Sequence, residues 1–248
     1  MQQFFVSPAQ IDMEGHSVSV TGADLNHMKN ALRLKPGEEV WISDGAGKEY
    51  HCEIEAYTSD AAVLHILYVQ EPKAELASKI YLFQGLPKSD KMEFVIQKAV
   101  ELGAFSIVPV KTKRCVVRLD KDKAQKKSIR WQQISESAAK QSHRLFVPEV
   151  SVPLEFDQAL RMAKEVSDIV LIPYELETDL DKTRKLISSI CPGQSVSVFI
   201  GPEGGFAEEE VSRAVQEGAV PISLGRRILR TETAGMMILA VLGYFLEA

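Results

Sequence analysis

SVSVFIGPEGGFAEEEVSRAVQE, residues Ser195–Glu217, reads as a buried strand (Ser195–Ile200), a turn with three glycines in five residues, and a helix (Glu208–Glu217). Glycine tolerates φ > 0 and lets the backbone come close to a ligand. The helix that follows presents free N–H groups at its start. The spacing is not Gly-x-Gly-x-x-Gly, and no Gly-Lys-Ser/Thr ending makes it a P-loop, so neither a nicotinamide enzyme nor a nucleoside-triphosphate enzyme has direct support. A tight strand-to-helix turn is the plainer reading of these glycines; a site for an anionic ligand is the sharper one.

The alternation continues outward in both directions. Strand Asp168–Ile172 and helix Leu180–Ile190 come before, and strand Val220–Ser223 and helix Thr233–Leu246 come after. Such alternation predicts an α/β fold with a mainly parallel sheet and helices on both faces. Ligands then bind beyond the carboxyl ends of the strands. Three loops qualify: Pro173-Tyr174-Glu175, Gly201–Phe206 and Leu224–Thr233. The last holds Arg226, Arg227 and Arg230 with Thr231, Glu232 and Thr233, ahead of an apolar helix. Thr231 or Thr233 can cap that helix. Capping does not explain three arginines, which solvent, carboxylates or phosphates must meet.

Upstream, Lys79–Phe83 reads as a strand. Asp90–Leu102 reads as a helix, with Met92, Val95, Ile96, Ala99 and Leu102 at helical spacing and Gly103 at its end. Strand Phe105–Val110, a polar helix over Lys123–Ser142 and a helix over Leu154–Ala163 follow. Before Glu71-Pro72-Lys73 the texture differs. Phe4–Val6, Ser17–Val20, Glu39–Ser43, Tyr50–Tyr57 and Ala61–Leu67 are short β-rich runs, with one helix near Asp24–Leu32. They predict a small β-barrel, and two domains are expected, 1–72 and 73–248.

The net charge of −5 over 248 residues hides an asymmetry. Residues 1–72 hold 4 Lys/Arg against 11 Asp/Glu, residues 73–149 hold 16 against 8, and residues 150–248 hold 9 against 15. The basic middle is either a solvated face or a surface for phosphates. Its cations, among them Lys88, Lys91, Lys98, Lys111, Lys113, Arg114, Arg118, Arg130, Lys140 and Arg144, spread over several elements, which suits backbone contact to a nucleic acid. Cys52, Cys115 and Cys191 form no CxxC pair, and the five histidines have no ligand spacing, so neither a disulfide scaffold nor a metal site is expected. No basic n-region precedes an apolar run, and no apolar stretch reaches the ~18 residues of a spanning helix. A soluble cytoplasmic protein with no membrane partner is expected. There is no Gly-x-Ser-x-Gly elbow, which disfavours a serine hydrolase.

Three stretches carry a family resemblance: Lys88-Ser-Asp-Lys91-Met92-Glu93 through Gln97-Lys98-Ala99 to Glu101-Leu102-Gly103; Ile200-Gly-Pro-Glu-Gly-Gly-Phe206; and Leu224-Gly-Arg-Arg-Ile-Leu-Arg-Thr-Glu-Thr-Ala234. Together they resemble the RsmE-type small-subunit ribosomal RNA (uridine-N3) methyltransferases of the SPOUT class. His27 through Leu32-Arg33-Leu34 and Gly37 resembles that family's N-terminal domain, so the likeness spans nearly the whole chain. It implies a PUA-like N-terminal β-barrel domain that assists RNA binding, and a C-terminal parallel sheet whose chain forms a trefoil knot. Periodicity would have argued against a knot, since knots are rare. It further implies S-adenosylmethionine as cofactor, a homodimer, and 3-methyluridine in 16S rRNA of the small subunit as product. Two positions depart from the family pattern: Gln2-Gln3 stands where an arginine is usual, and Lys140-Gln141-Ser142 where Glu-Gln-Ser or Glu-Gln-Cys is usual.

Carried onto this sequence, the resemblance places Leu171, Tyr174, Gly201, Gly205, Leu224, Ile228, Leu229 and Thr233 around the cofactor. Arg33, Lys88, Lys91, Arg114 and Arg144 are expected on RNA phosphates. Arg230 is expected against the uracil carbonyls, with Glu203 or Glu232 orienting it or accepting the N3 proton; which carboxylate does so is left open. The rival readings are a SPOUT enzyme acting on tRNA or another rRNA site, and a non-catalytic RNA-binding assembly factor.

Overall fold

A computed structural model describes residues 1–247. The chain divides into two compact units, Met1–Glu75 with Ala139–Val147, and Leu76–Ala138 with the chain from Pro148 onward.

The first unit is a curled six-stranded sheet: β1 (Gln3–Phe5), β2 (Ile11–Asp12), β3 (Ser17–Thr21), β4 (Glu39–Ser43), β5 (Glu49–Tyr57) and β6 (Ala61–Gln70), ordered β1-β4-β5-β6-β3-β2. Only β1–β4 is parallel. Strict alternation sends Val18 and Val20, Val40 and Ile42, Cys52 and Ile54, and Leu64 and Ile66 into one core, each worth about 1.5–3 kcal/mol if a full aliphatic side chain is buried. Helix α1 (Gly22–Asn26) runs into a π turn, His27–Ala31, whose Met28 closes that core.

Residues 139–147 were expected in the C-terminal domain but are bonded into this unit. Gln3 Nε2 donates to the Arg144 carbonyl at 2.8 Å and Ser43 Oγ to that of Leu145 at 2.9 Å. The Arg144 guanidinium lies on Glu75, with Nη2 2.7 Å from Oε2. These bonds also account for the two departures from the family pattern. Gln3 is a buried latch, and Lys140 meets Asp24 Oδ1 at 2.7 Å.

The second unit holds β7 (Ile80–Gly85), β8 (Ser106–Lys111), β9 (Glu149–Val150), β10 (Leu154–Glu155), β11 (Ile169–Pro173), β12 (Val196–Ile200) and β13 (Val220–Ile222), all parallel. Their order is β10-β8-β7-β12-β11-β13, with β9 beside β8. The helices are α2 (Lys91–Glu101), α3 (Lys121–Gln141), α4 (Phe156–Val166), α5 (Leu180–Ser188), α6 (Glu208–Gln216) and α7 (Thr231–Leu246). β7 and β12 are buried along their whole length, as strands covered on both faces must be. Phe83 and Phe199 stack at 4.5 Å between ring centroids, with Phe156 edge-on to Phe199. Leu154 belongs to β10 rather than to the following helix, because Leu154 and Glu155 pair with Val110 and Lys111.

Candidate active site

The loops after β11, β12 and β13 converge with the start of α7 around a cavity of about 430 Å³. Sequence makes that convergence possible by omitting side chains. A Cβ on Gly85 would sit 2.7 Å from the Pro202 nitrogen, and one on Gly201 would sit 3.0 Å from the Gly205 carbonyl carbon. Gly205 has φ +66°, a conformation that costs a larger residue strain. A buried polar chain ties the same crossing together. Gln84 Nε2 donates to Thr231 Oγ1 at 2.8 Å, and Thr231 Oγ1 donates to the Gly201 carbonyl at 2.6 Å. Gln84 is fully buried, so these bonds offset part of the cost of placing an amide inside an apolar sheet, its Oε1 having no hydrogen-bond partner.

At the edge of the cavity, Lys91 stands between two carboxylates, 3.2 Å from Glu203 Oε1 and 3.4 Å from Glu232 Oε2. Ser89, at φ +56°, turns the chain so that the Lys88 N–H donates to both oxygens of Glu203, at 3.1 and 3.3 Å. Burial raises the Glu203 carboxyl, but its own backbone N–H, that of Lys88 and the Lys91 ammonium together hold it below the usual carboxylate range. Lys91 is pushed up, chiefly by its bond to Glu203 and further by the charge of Glu232. Glu203 is thus saturated. Glu232 differs: its Oε2 is buried, is approached by Lys91 at 3.4 Å without a further partner, and does not line the cavity.

Of the residues singled out from sequence, Tyr174, Gly201, Gly205, Leu224, Ile228, Leu229, Arg230, Glu203 and Lys91 line this cavity. Leu171 does not; it is fully buried in β11, with the lining beginning at Pro173. Thr233 is exposed on the first turn of α7 and does not line it either. Thr231 does, because α7 starts there and turns its hydroxyl inward. Arg114 Nη1 donates to the Gly204 carbonyl at 3.0 Å, and Lys88 is exposed nearby. In the smaller unit Arg33 is exposed at φ +56°. Arg144 is a correction: buried and held by Glu75, it offers no charge to a phosphate. Gln84 and Gly85 escaped notice; a lone amide and glycine ending the apolar run Ile80–Phe83 were the available signal. Among the described residues no three His, Cys, Asp or Glu cluster to hold a metal ion, and no helix is long and apolar enough to cross a membrane.

Comparison with known proteins gives the class. A family described as RNA methyltransferase domain matches residues 74–243, and one described as RNA methyltransferase PUA domain matches residues 20–67. The ribosomal RNA small subunit methyltransferase E of Bacillus subtilis strain 168 is 36% identical, covering 100% of this chain and 98% of its own. That of Synechocystis is 32% identical over 98% of this chain and 77% of its own. The crystal structure of a ribosomal RNA small subunit methyltransferase E from Neisseria gonorrhoeae bound to S-adenosyl methionine superposes with a TM-score of 0.83 at 32% identity, over 98% of this chain and 97% of the other. The fold is therefore that of an RNA methyltransferase with a PUA-like domain. The chain belongs to the ribosomal RNA small subunit methyltransferase E family.

Proposed function

We propose that this chain transfers the methyl group of S-adenosylmethionine to N3 of a uridine in 16S rRNA, on the small ribosomal subunit, as a cytoplasmic homodimer. The observation that carries it is the glycine-crossed cavity with an ammonium held between two carboxylates and Arg230 at its rim. Its volume lies within the ~300–1,000 Å³ of small-molecule and cofactor sites. The residues fit the cofactor: the tight backbone of Gly201 and Gly205 and the backbone of Leu224, Ile228 and Leu229 offer amide and carbonyl partners, with Tyr174 beside them. When bound, S-adenosylmethionine supplies an electrophilic methyl on its sulfonium.

Uridine N3 is a poor nucleophile until its imide proton leaves, and the base must be unstacked to present it. Glu203 or Glu232 is the acceptor: Glu203 lines the cavity but already receives the Lys88 N–H and Lys91, whereas Glu232 stands just behind the lining and, among the described residues, is approached by Lys91 alone. Arg230, exposed at the rim, is placed to hold the negative charge that develops on the uracil carbonyls. Lys91 keeps both carboxylates in place rather than meeting an RNA phosphate. Backbone phosphates of the RNA are left to exposed cations of this unit, Lys88, Lys113, Arg114, Arg118, Lys123 and Lys126.

Two further features fit the reading. Phe94 on α2 and Met237, Tyr244 and Phe245 on α7 are exposed on two helices packed together, an apolar face suited to a second copy. The chain leaves edge strand β13, bonds back to the loop after β12 through Thr231, and lays α7 against α2, as a trefoil knot of these loops requires.

The test is methyl transfer from labelled S-adenosylmethionine to small subunits from a strain lacking the gene, followed by nucleoside digestion. Labelled 3-methyluridine is expected. A different methylated nucleoside would overturn the substrate assignment, and absence of both transfer and cofactor binding would overturn the enzyme.

A further inference from the structure

The outer face of the six-stranded sheet carries a row of aromatic rings that methyl transfer does not use. Trp41 on β4, His51 on β5 and Tyr68 on β6 are successive cross-strand partners. Ring centroids lie 4.6 Å apart for Trp41 and His51 and 4.7 Å for His51 and Tyr68. The flanking Val40, Ile42, Cys52 and Ile66 point into the core, so the row faces away from it. Tyr68 is 49% exposed, and Leu67 and Val69 beside it are exposed as well. Trp41 and Tyr68 also meet edge-on at 5.8 Å, so the three rings form a cluster in which His51, 8% exposed, is covered by the other two.

The charge beside this row has one dominant sign. Glu39 and Glu53 sit directly opposite one another on β4 and β5, an arrangement that costs stability while no cation meets it. Glu39 Oε2 approaches His51 Nε2 at 3.1 Å, although neither ring nitrogen makes a hydrogen bond. Glu71 follows the end of β6, where Lys48 is 3.8 Å away. The other cations of the first unit lie off these strands: Lys29, Arg33 and Lys35 in the helical segment and the loop after it, Lys73 past the end of β6, and Lys140 and Arg144 on Asp24 and Glu75.

We infer that this face docks an extended, arginine- or lysine-rich segment of a partner protein. The exposed Tyr68 ring, with half-buried Trp41 beside it, attracts a guanidinium or ammonium over its face, and Glu39 and Glu53 supply the opposite charge at the spacing of neighbouring strands. Aromatic rows also stack single-stranded nucleic acid, but such surfaces pair their rings with a positive groove. Here the surroundings are acidic, so a polyanion is repelled where a polycation is drawn in. The inference stands on the geometry and charge of this sheet and does not depend on the methylated position.

Fluorescence anisotropy with labelled nona-arginine, and in parallel with labelled oligouridine, tests it on the full chain. Nona-arginine is expected to bind, and Tyr68→Ala to weaken it about fivefold or more. Glu53→Gln should weaken it as well, while oligouridine binding stays unchanged in both variants. Tyr68 is half exposed, so its removal uncovers little core, and an unaltered melting temperature checks this. Absence of nona-arginine binding, or equal binding by wild type and Tyr68→Ala, would overturn the inference by leaving at most net charge. A loss of oligouridine rather than nona-arginine binding in Tyr68→Ala would make the face an RNA surface and overturn it too.

Discussion

Arg230 and Glu232 are two residues apart, yet the structure separates their tasks. Arg230 occupies the N-cap position of α7 and is exposed, while Glu232, in the first turn, meets Lys91. Arg230→Ala should therefore lower kcat by about 10²-fold or more, with S-adenosylmethionine affinity by calorimetry unchanged. Glu232→Gln, which keeps shape and removes one of the two candidate proton acceptors, should do the same; full activity in either would withdraw that residue's role. Cys52 supplies a prediction about pH. Burial pushes its thiol up to about 12, so the folded state keeps a proton that the unfolded chain gives up above about 9. The sign is that stability falls as pH rises from there toward 12, and Cys52→Ala should flatten this alkaline limb in thermal melts. At neutral pH iodoacetamide should label exposed Cys191 and leave Cys52 untouched until unfolding, as peptide mass spectrometry would reveal.

Among the elements, the strand–loop–helix alternation was legible because β7, β8, β11 and β12 are short apolar runs and their helices carry clear apolar periodicity. The three candidate ligand loops were found at the strand ends for the same reason. What escaped depends on partners distant in sequence. Lys91 looked like a phosphate contact because its carboxylates, Glu203 and Glu232, arrive only through folding. Thr231 and Thr233 looked alike as caps, but neither caps α7, whose N-cap position is Arg230; Thr231 instead joins Gln84 to the Gly201 carbonyl. The crossing of β7 and the loop after β12 gives the sharpest element-level prediction. Gly85→Ala would force its Cβ against the Pro202 backbone, costing about 1–3 kcal/mol as overpacking does. A lowered melting temperature and weakened cofactor binding are expected, whereas Gly218→Ala, at a turn outside the cavity with nothing near its Cβ, should affect stability alone.

For the whole molecule, Tyr244, 83% exposed on α7, and its neighbour Phe245 are the residues on which the proposed dimer can be tested. Tyr244→Ser with Phe245→Ser should convert a dimer to a monomer in sedimentation equilibrium; an unchanged mass would place the interface elsewhere. The order of strands could be read from sequence only as far as parallel alternation, and the return of residues 139–147 to the first unit not at all. That segment continues a polar helix, and its bonds to Gln3, Asp24, Ser43 and Glu75, all distant in sequence, reveal where it belongs. A contiguous stretch of sequence and a folding unit consequently do not coincide here. A truncation after Glu75 would strip the buried Gln3 amide and Ser43 hydroxyl of their acceptors and leave Glu75 without its guanidinium. Anyone exchanging the β-rich module between relatives must therefore transplant two stretches of sequence, since a single cut yields a fragment missing part of its own wall.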